Sequence, residues 1–188
     1  VAVKPNKIPI TKDWSNPSNQ LAFSDINGIA GFDISGHGIA PDYLVLDFDH
    51  VLDDNLNFVN QLAHDTFFDI LNLSSSYAEL SVSNHGLHII LLPSEGSFHS
   101  VSNSSNGIFY FSSSTSKNSP KLELFYKTGG RYFLFTGNVF HCPPQQPISH
   151  GPVADKVFSH ILDKISNSKM KSSSSSNDKF LSTKEAAS

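Results

Sequence analysis

The sequence predicts an α+β domain built on a largely antiparallel β-sheet. Apolar runs of strand length outnumber helical ones, and two pairs of them are joined by the short turn sequences SNHG and TGGR. Short connections of this kind are typical of antiparallel hairpins. Two further segments have apolar residues at helical spacing, one after the first strong strand and one after the last.

The opening forty residues are rich in Pro, Asn, Gly and Ser and are expected to be mostly irregular, with one short strand over 28–32. The first strong strand is predicted over 43–49, an apolar run that ends in two carboxylates. A helix over 55–73 follows, because its apolar residues recur at helical spacing, and Asp54 or Asn55 could cap its start.

Two hairpins are predicted next. The first joins strands over 77–82 and 87–92 across SNHG, and the second joins 121–127 and 132–136 across TGGR. Between them lies a long stretch dominated by Ser and Asn, with one short apolar strand over 108–111.

A closing helix is predicted over 153–165, where branched apolar residues recur every four positions. Serine and lysine then dominate to the end of the sequence, including five consecutive serines. Such a segment cannot bury enough apolar surface to offset the entropy of ordering. We therefore expect one globular domain over 1–165 and a flexible tail or linker over 166–188.

Composition narrows the class of protein. A single cysteine, Cys142, excludes an intrachain disulfide framework and a zinc site built on repeated cysteines. No apolar run approaches the ~20 residues that span a bilayer, so a soluble, intracellular protein without a membrane partner is expected. The net charge of −4 argues against coating nucleic acid by bulk electrostatics but allows a local basic groove.

Asp47 and Asp49 are the first candidate site residues. They lie two apart on a strand, so both carboxylates project from the same face. Two buried acids need a counter-cation, and oxygen ligands suit Mg²⁺ or Mn²⁺. A solvated pair of acids at a strand end explains the short motif equally well.

His88, at the second position of the strand LHIILL, is the next candidate. Its approach, SVSNHG, contains small residues and the hydroxyls of Ser81 and Ser83, which could come close to an anion. An imidazole there could hold a phosphate, although a lone histidine on an apolar strand is more often a structural residue.

Glu123 and Arg131 complete the set. Glu123 alternates with leucines in KLELFY. Leu122, Leu124 and Tyr126 make one face of this strand, and Glu123 lies on the other with Lys121 and Phe125. Arg131 follows two glycines, where a guanidinium would suit bidentate contact with phosphate. An exposed strand glutamate and a surface arginine are the alternatives.

Three segments occur in an order that resembles the archaeo-eukaryotic primase superfamily, in particular the primase-polymerase domains of phages and plasmids. They are LVLDFDHVLDD, YAELSVSNHGLHIILLP and KLELFYKTGGRYFLFTGN, and with GIAGFDISG they span most of residues 28–138. The resemblance implies a modified RNA-recognition-like sheet with a small N-terminal α/β unit. It also implies that Asp47, Asp49 and Glu123 bind two divalent ions, Mg²⁺ or Mn²⁺, and that His88 contacts the triphosphate of the incoming nucleotide.

Further roles follow from the same resemblance. Ser83 and Arg131 are plausible additional phosphate contacts, and template is expected along a groove that could include Tyr126, Lys127 and Tyr132. The implied function is a DNA primase or DNA polymerase on single-stranded DNA, a nucleotidyltransferase that uses nucleoside triphosphates in phage or plasmid replication in the host cytoplasm. A replicative helicase is a possible partner. The family's zinc-binding module is missing, so primer extension is better supported than primer initiation.

Two other functions stay open. One is a catalytically inactive module that only binds nucleic acid, although such a module has no physical reason to keep three acids on one face. The other is a phosphatase of the haloacid dehalogenase type, whose first motif LVLDFD imitates. That class has a glycine at the position of His50, and it also requires a later acidic motif, typically a Gly-Asp pair. No Gly-Asp pair follows residue 89 in this chain.

Overall fold

The computed structural model describes residues 35–38, 43–94, 108–125, 132–145 and 148–165, with backbone only at 35–38 and 132–134. It is an α+β structure. The elements are β1 (Ser35–Gly38), β2 (Leu44–Asp49), α1 (Gln61–Ser74), β3 (Ala78–Leu80), β4 (Leu87–Leu92), β5 (Ile108–Tyr110), β6 (Lys121–Phe125), β7 (Tyr132–Phe135), β8 (Val139–His141), β9 (Ser149–His150) and α2 (152–165).

The main sheet has the strand order β5-β6-β2-β4-β3-β8, and neighbours along this path are antiparallel. The short strand β9 adds a parallel pair on β4. The long apolar strands β2 and β4 form the centre, as expected for segments that bury most of their side chains. The predicted largely antiparallel sheet and the predicted hairpin of β3 and β4 are confirmed.

The second predicted hairpin is wrong. Strand β6 pairs with β2 and β5, whereas β7 pairs with β1 in a separate two-stranded sheet. Leu122 and Leu124 of β6 join the core, which requires pairing with the buried strand β2. The partner of β7, with the sequence SGHG, has no apolar pattern that could reveal it from the sequence.

Both helices pack on one face of the main sheet. Alternate residues of β2, β4 and β6 meet apolar residues of α1 and α2 in a single core. Phe48 of β2 packs edge-to-face against Phe67 of α1 with ring centroids 5.2 Å apart, and stacks on Phe111 at 6.0 Å. This arrangement leaves the opposite face of β2, β4 and β6 for the polar residues of those strands.

Helix α1 begins later than predicted. Asn60, with extended backbone angles, is its N-cap, and the Asn60 side chain accepts a hydrogen bond from the backbone N–H of Ala63 at 3.2 Å. Asp53 holds the preceding segment in a turn, since its carboxylate accepts from the N–H groups of Asn55 and Asn57, both at 2.9 Å. The predicted cap at Asp54 or Asn55 is therefore wrong.

The other predicted elements divide in two groups. The closing helix and the short strand near residue 108 are confirmed within a residue or two. The strand expected over 28–32 and the tail over 166–188 lie outside the described residues. Among the described residues, no helix combines the length and apolar character needed to cross a bilayer.

Candidate active site

Four ionisable residues form one row across four neighbouring strands. In the register of the sheet, Asp47 of β2 is paired with Glu123 of β6 on one side and with His88 of β4 on the other. His88 is in turn paired with Glu79 of β3. Directly paired residues project from the same face with Cβ atoms about 4.5–5.5 Å apart. The row therefore lies on the face opposite the helices, and three of the predicted site residues are brought together in it.

Asp49 lies on the same face, two residues further along β2. Its partner across the sheet is Lys121 of β6. The Lys121 Nζ lies 3.4 Å from Asp49 Oδ2 and 2.7 Å from Glu123 Oε1, so one ammonium joins two of the three predicted metal-binding acids. Burial opposes the charge of Lys121, yet Glu123 and Asp49 together raise the pKa of its ammonium above the ordinary value.

The imidazole of His88 lies between two carboxylates. Its Nδ1 is 3.0 Å from Glu79 Oε1, and its Nε2 is 3.6 Å from Asp47 Oδ1. The side chain is only 8% exposed, whereas that of Asp47 is 27% exposed. His88 therefore connects a fully buried acid to one that solvent can reach.

Glu79, like Lys121, is a residue of this face that the sequence analysis did not identify as a site candidate. Its carboxylate is fully buried and accepts hydrogen bonds from the Tyr77 hydroxyl at 2.9 Å, the Gly137 N–H at 3.0 Å and the Thr136 N–H at 3.1 and 3.2 Å. Burial opposes ionisation, but the bonds from His88 and these donors hold the pKa of Glu79 below its ordinary value. Glutamates are almost never fully buried, so the sequence YAEL alone predicts an exposed side chain for Glu79. The predicted hairpin across SNHG would pair Glu79 with Ile90, whereas in the structure Leu80 pairs with Leu87 and Glu79 with His88. The sequence therefore indicates only that Glu79 and His88 share a face of the sheet.

Ser83 lies in the turn between β3 and β4. Its hydroxyl is 3.1 Å from that of Ser81 and accepts the N–H of His85 at 3.3 Å. This turn sits beside the end of β2 that carries Asp49, because a Cβ added to Gly86 would lie 2.6 Å from the carbonyl oxygen of Phe48. Ser83 therefore belongs to a turn that contacts β2 through Gly86.

Arg131, the other predicted phosphate contact, lies outside the described residues, as do Tyr126 and Lys127. The side chain of Tyr132 is likewise outside them, although its backbone begins β7. The structure therefore places four of the six predicted site residues on one face, namely Asp47, Asp49, His88 and Glu123, with Ser83 in the adjoining turn.

The donor set suits a hard divalent cation, because the three predicted ligands are carboxylates on adjacent strands. Within the described ranges, however, no three His, Cys, Asp or Glu side chains are gathered in an arrangement that could hold a metal ion. The ammonium of Lys121 instead bridges Asp49 and Glu123. The residues fit such an ion in chemistry and in position on the face, while its entry would require these side chains to rearrange.

A scan against models of protein families finds no match, and a search of curated proteins finds no significant relative.

Proposed function

We propose that this chain catalyses template-dependent nucleotidyl transfer, as a DNA primase or DNA polymerase acting on single-stranded DNA. The observation that carries the proposal is the row of Glu123, Asp47 and His88 on adjacent strands, with Asp49 next on the same face. The resemblance of three sequence segments to phage and plasmid primase-polymerases supports the same function, and implies for the finer fold a modified RNA-recognition-like sheet with a small N-terminal α/β unit.

Asp47, Asp49 and Glu123 would hold the divalent ions, Mg²⁺ or Mn²⁺. Bound there, such ions would lower the pKa of the primer 3′-hydroxyl and neutralise charge on the triphosphate. The protein's own contribution would be to orient the reactants for in-line displacement. His88 would contact the triphosphate through Nε2, because Nδ1 is engaged by Glu79.

Lys121 has two roles in this proposal, one without and one with bound nucleotide. Its ammonium balances Asp49 and Glu123 in the metal-free protein, and it lies on the face where a triphosphate would carry negative charge. We propose that it is displaced from the two acids when the ions enter and then faces the nucleotide.

A second candidate is a module that binds nucleic acid without chemistry. The ion pairs of Lys121 favour it, because they compensate two of the acids without any metal ion. The two functions differ in whether Asp47 and Asp49 are needed, since a pure binder should tolerate the loss of negative charge that repels phosphate.

The test is extension of a labelled primer on a single-stranded template with Mg²⁺ or Mn²⁺, and with ribonucleotides and deoxynucleotides in separate reactions. We expect the double variant Asp47→Asn, Asp49→Asn to lose on the order of 100-fold or more, because even partners of metal ligands typically contribute about 10- to 100-fold. The matched control is Asp65→Asn, an exposed aspartate on α1 in the helical layer, which should extend normally.

Other outcomes lead to different conclusions. A protein that is silent with every nucleotide set but binds template, with or without the two aspartates, is a binding module. A protein that neither extends nor binds, yet hydrolyses a phosphate monoester in a reaction that needs Asp47, belongs with the phosphatase alternative.

A further inference from the structure

The strands that carry the proposed site also enclose a buried pair, Glu79 and His88. Glu79 lies on β3, is fully buried, and places Oε1 3.0 Å from Nδ1 of His88. Glu79 is not among the acids proposed to bind metal, because it lies at the far end of the row, beyond His88.

The hydrogen bonds of Glu79 determine which atoms carry protons. A hydroxyl and two backbone N–H groups, from Tyr77, Thr136 and Gly137, all point at the carboxylate oxygens. The backbone groups can only donate, so the carboxylate is the acceptor in these bonds. These donors stabilise the ionised carboxylate and help to hold the pKa of Glu79 below its ordinary value, so at neutral pH it has no proton to give to His88.

The ionised carboxylate of Glu79 determines which nitrogen of the His88 imidazole carries a hydrogen. An acceptor-only partner requires that Nδ1 of His88 carries the hydrogen in the 3.0 Å bond, whatever the charge of the ring. The same bond fixes the ring plane, and Nε2 then lies on the side of Asp47, 3.6 Å from Oδ1. Few solvent contacts compete with this arrangement, since the His88 side chain is 8% exposed.

We propose that Glu79 is a positioning residue, which fixes the tautomer and orientation of His88 so that Nε2 faces the acidic side of the row. The proposal rests on the proposed function only for what Nε2 meets there, the triphosphate of a bound nucleotide. The fixed ring itself is a property of the protein without any ligand.

Glu79 also ties a second segment to the same ring. The N–H groups of Thr136 and Gly137, directly after β7, bind the carboxylate, and the Thr136 hydroxyl donates to the Leu80 carbonyl at 2.7 Å. The carboxylate of Glu79 therefore contacts both the ring of His88 and the backbone directly after β7.

The first measurement is a long-range ¹H–¹⁵N correlation spectrum of the imidazole nitrogens in the unliganded protein at neutral pH. His88→Gln identifies the His88 signals by their disappearance. We expect a protonated Nδ1 with slow exchange of its hydrogen with solvent. An unprotonated Nδ1, or a hydrogen that exchanges as fast as in an exposed histidine, would overturn the proposal without any need for a variant of Glu79.

The second measurement uses Glu79→Gln, with Tyr77→Phe as the matched control. A glutamine has one acceptor oxygen and brings an NH₂ group among donors, so its NH₂ should face Nδ1 and shift the hydrogen to Nε2. Tyr77→Phe removes another donor from the same carboxylate but leaves the bond to His88, so it should retain the protonated Nδ1. An unchanged Nδ1 signal in a folded Glu79→Gln protein would contradict the role of Glu79.

Kinetics separates a positioning role from a structural one. If His88 contacts the triphosphate, Glu79→Gln should raise KM for the nucleotide by about 10-fold, as loss of a supporting partner does, with a smaller change in kcat. Equal losses in Glu79→Gln and Tyr77→Phe would indicate general loosening instead and would overturn the proposal. A fixed Nδ1 hydrogen in a protein without nucleotidyl transfer would refute the proposed function alone, whereas active protein with an unprotonated Nδ1 would refute only the role of Glu79.

Discussion

Lys121 shows how a single side chain can balance an acidic face. Its stem is largely buried, with 11% of the side chain exposed, and its ammonium reaches both Asp49 and Glu123. Two carboxylates on one face would otherwise repel each other in a partly desolvated place. The lysine therefore balances the two carboxylates, and a divalent cation at the proposed site would have to compete with it.

Lys121→Met tests this balance, because methionine keeps much of the stem and removes the charge. Without divalent ions, we expect the variant to lose about 1 kcal/mol of unfolding free energy, since partly exposed ion pairs contribute little more. Mg²⁺ or Mn²⁺ should then raise the Tm of the variant more than that of the wild type, because the two acids bind the ion without competition. Thermal unfolding with and without chelator measures both effects.

The control for this prediction is Lys164→Met. Lys164 also pairs with an aspartate, Asp69, with Nζ and Oδ2 3.2 Å apart, but it lies on the helical layer. Its loss should leave the response to Mg²⁺ unchanged. Equal responses in Lys121→Met and the wild type would argue against a divalent cation at Asp49 and Glu123.

Glu79 should give the protein a specific dependence on acid. Burial opposes its charge, but the hydrogen bonds to it hold its folded pKa below the ordinary value of 4.5, so the unfolded chain binds its proton more readily. Its stabilisation is therefore fully present above about pH 4.5 and is lost as the pH falls through the lower folded pKa. Urea unfolding from neutral pH downward should show less acid-induced loss in Glu79→Gln than in the wild type.

Other carboxylates contribute with the same sign, including Asp69, where a hydrogen bond from His160 lowers the pKa. The informative quantity is thus the difference in slope between proteins. Asp69→Asn, at a more exposed position, should flatten the profile less than Glu79→Gln. Parallel profiles for the wild type and Glu79→Gln would mean that the pKa of Glu79 is the same in the folded and unfolded protein, which would contradict this prediction.

Among the elements, the turn between β3 and β4 is constrained by one close approach. A Cβ on Gly86 would meet the carbonyl oxygen of Phe48 at 2.6 Å and the Ser81 hydroxyl oxygen at 3.1 Å. Real Cβ atoms do not come so near a backbone oxygen, so β2 and the turn would have to separate. Phe48 lies between Asp47 and Asp49, and the separation would therefore displace the acids as well.

Gly86→Ala should consequently cost both stability and proposed activity. We expect a loss of about 1–3 kcal/mol, as for other overpacked sites, together with reduced primer extension in protein that is still folded at the assay temperature. Gly151→Ala is the control, because its positive φ of 59° costs about 1–2 kcal/mol at the start of α2. If the two variants lost stability equally and both extended normally, the turn would have no part in placing the acids.

Much of this architecture could be predicted from the sequence, because strong local patterns mark the buried elements. The apolar runs of β2 and β4 and the stripe of α2 specify their type without outside information. The start of α1 could not be predicted in this way. Apolar residues upstream of it continue a helical spacing, whereas the turn around Asp53 and a bridge between Leu52 and Phe58 decide the backbone there.

Some residues of the candidate site could be predicted from the sequence, and others could not. Period-two alternation suffices to place Asp47 and Asp49 on one face. Lys121 was not recognised, because its contact with Asp49 depends on the register of β6 against β2, strands more than seventy residues apart in sequence. Glu79 could not be predicted, because the sequence does not show that its charged side chain would be fully buried. The buried carboxylate is stabilised by hydrogen-bond donors such as Tyr77 and Gly137, which only the fold brings to it.

At the scale of the whole molecule, the core and the charged row occupy opposite faces of one sheet. The side chains of Phe48, Phe67 and their neighbours are buried between the sheet and the two helices, while the acids of β2 lie on the other face. Stability and the proposed chemistry should therefore be separable by substitution. Substitution of the acids removes only partly exposed ion pairs, which contribute about 1 kcal/mol or less, whereas substitution in the core removes buried apolar contacts.

The separation can be tested with two variants in parallel. Phe67→Ala, which removes a fully buried ring from the core, should lose about 3–5 kcal/mol of unfolding free energy, but the fraction still folded at low temperature should extend primers normally. The double variant Asp47→Asn, Asp49→Asn should lose no more than about 1 kcal/mol in chelator, because the ion pair between Asp49 and Lys121 is partly exposed, and it should fail to extend. Denaturant unfolding and primer extension, measured on the same preparations, give both quantities. A large loss of stability in the double variant would contradict the separation, because it would mean that the acids are held by structural bonds, and the row would then be part of the scaffold rather than the site that the scaffold supports.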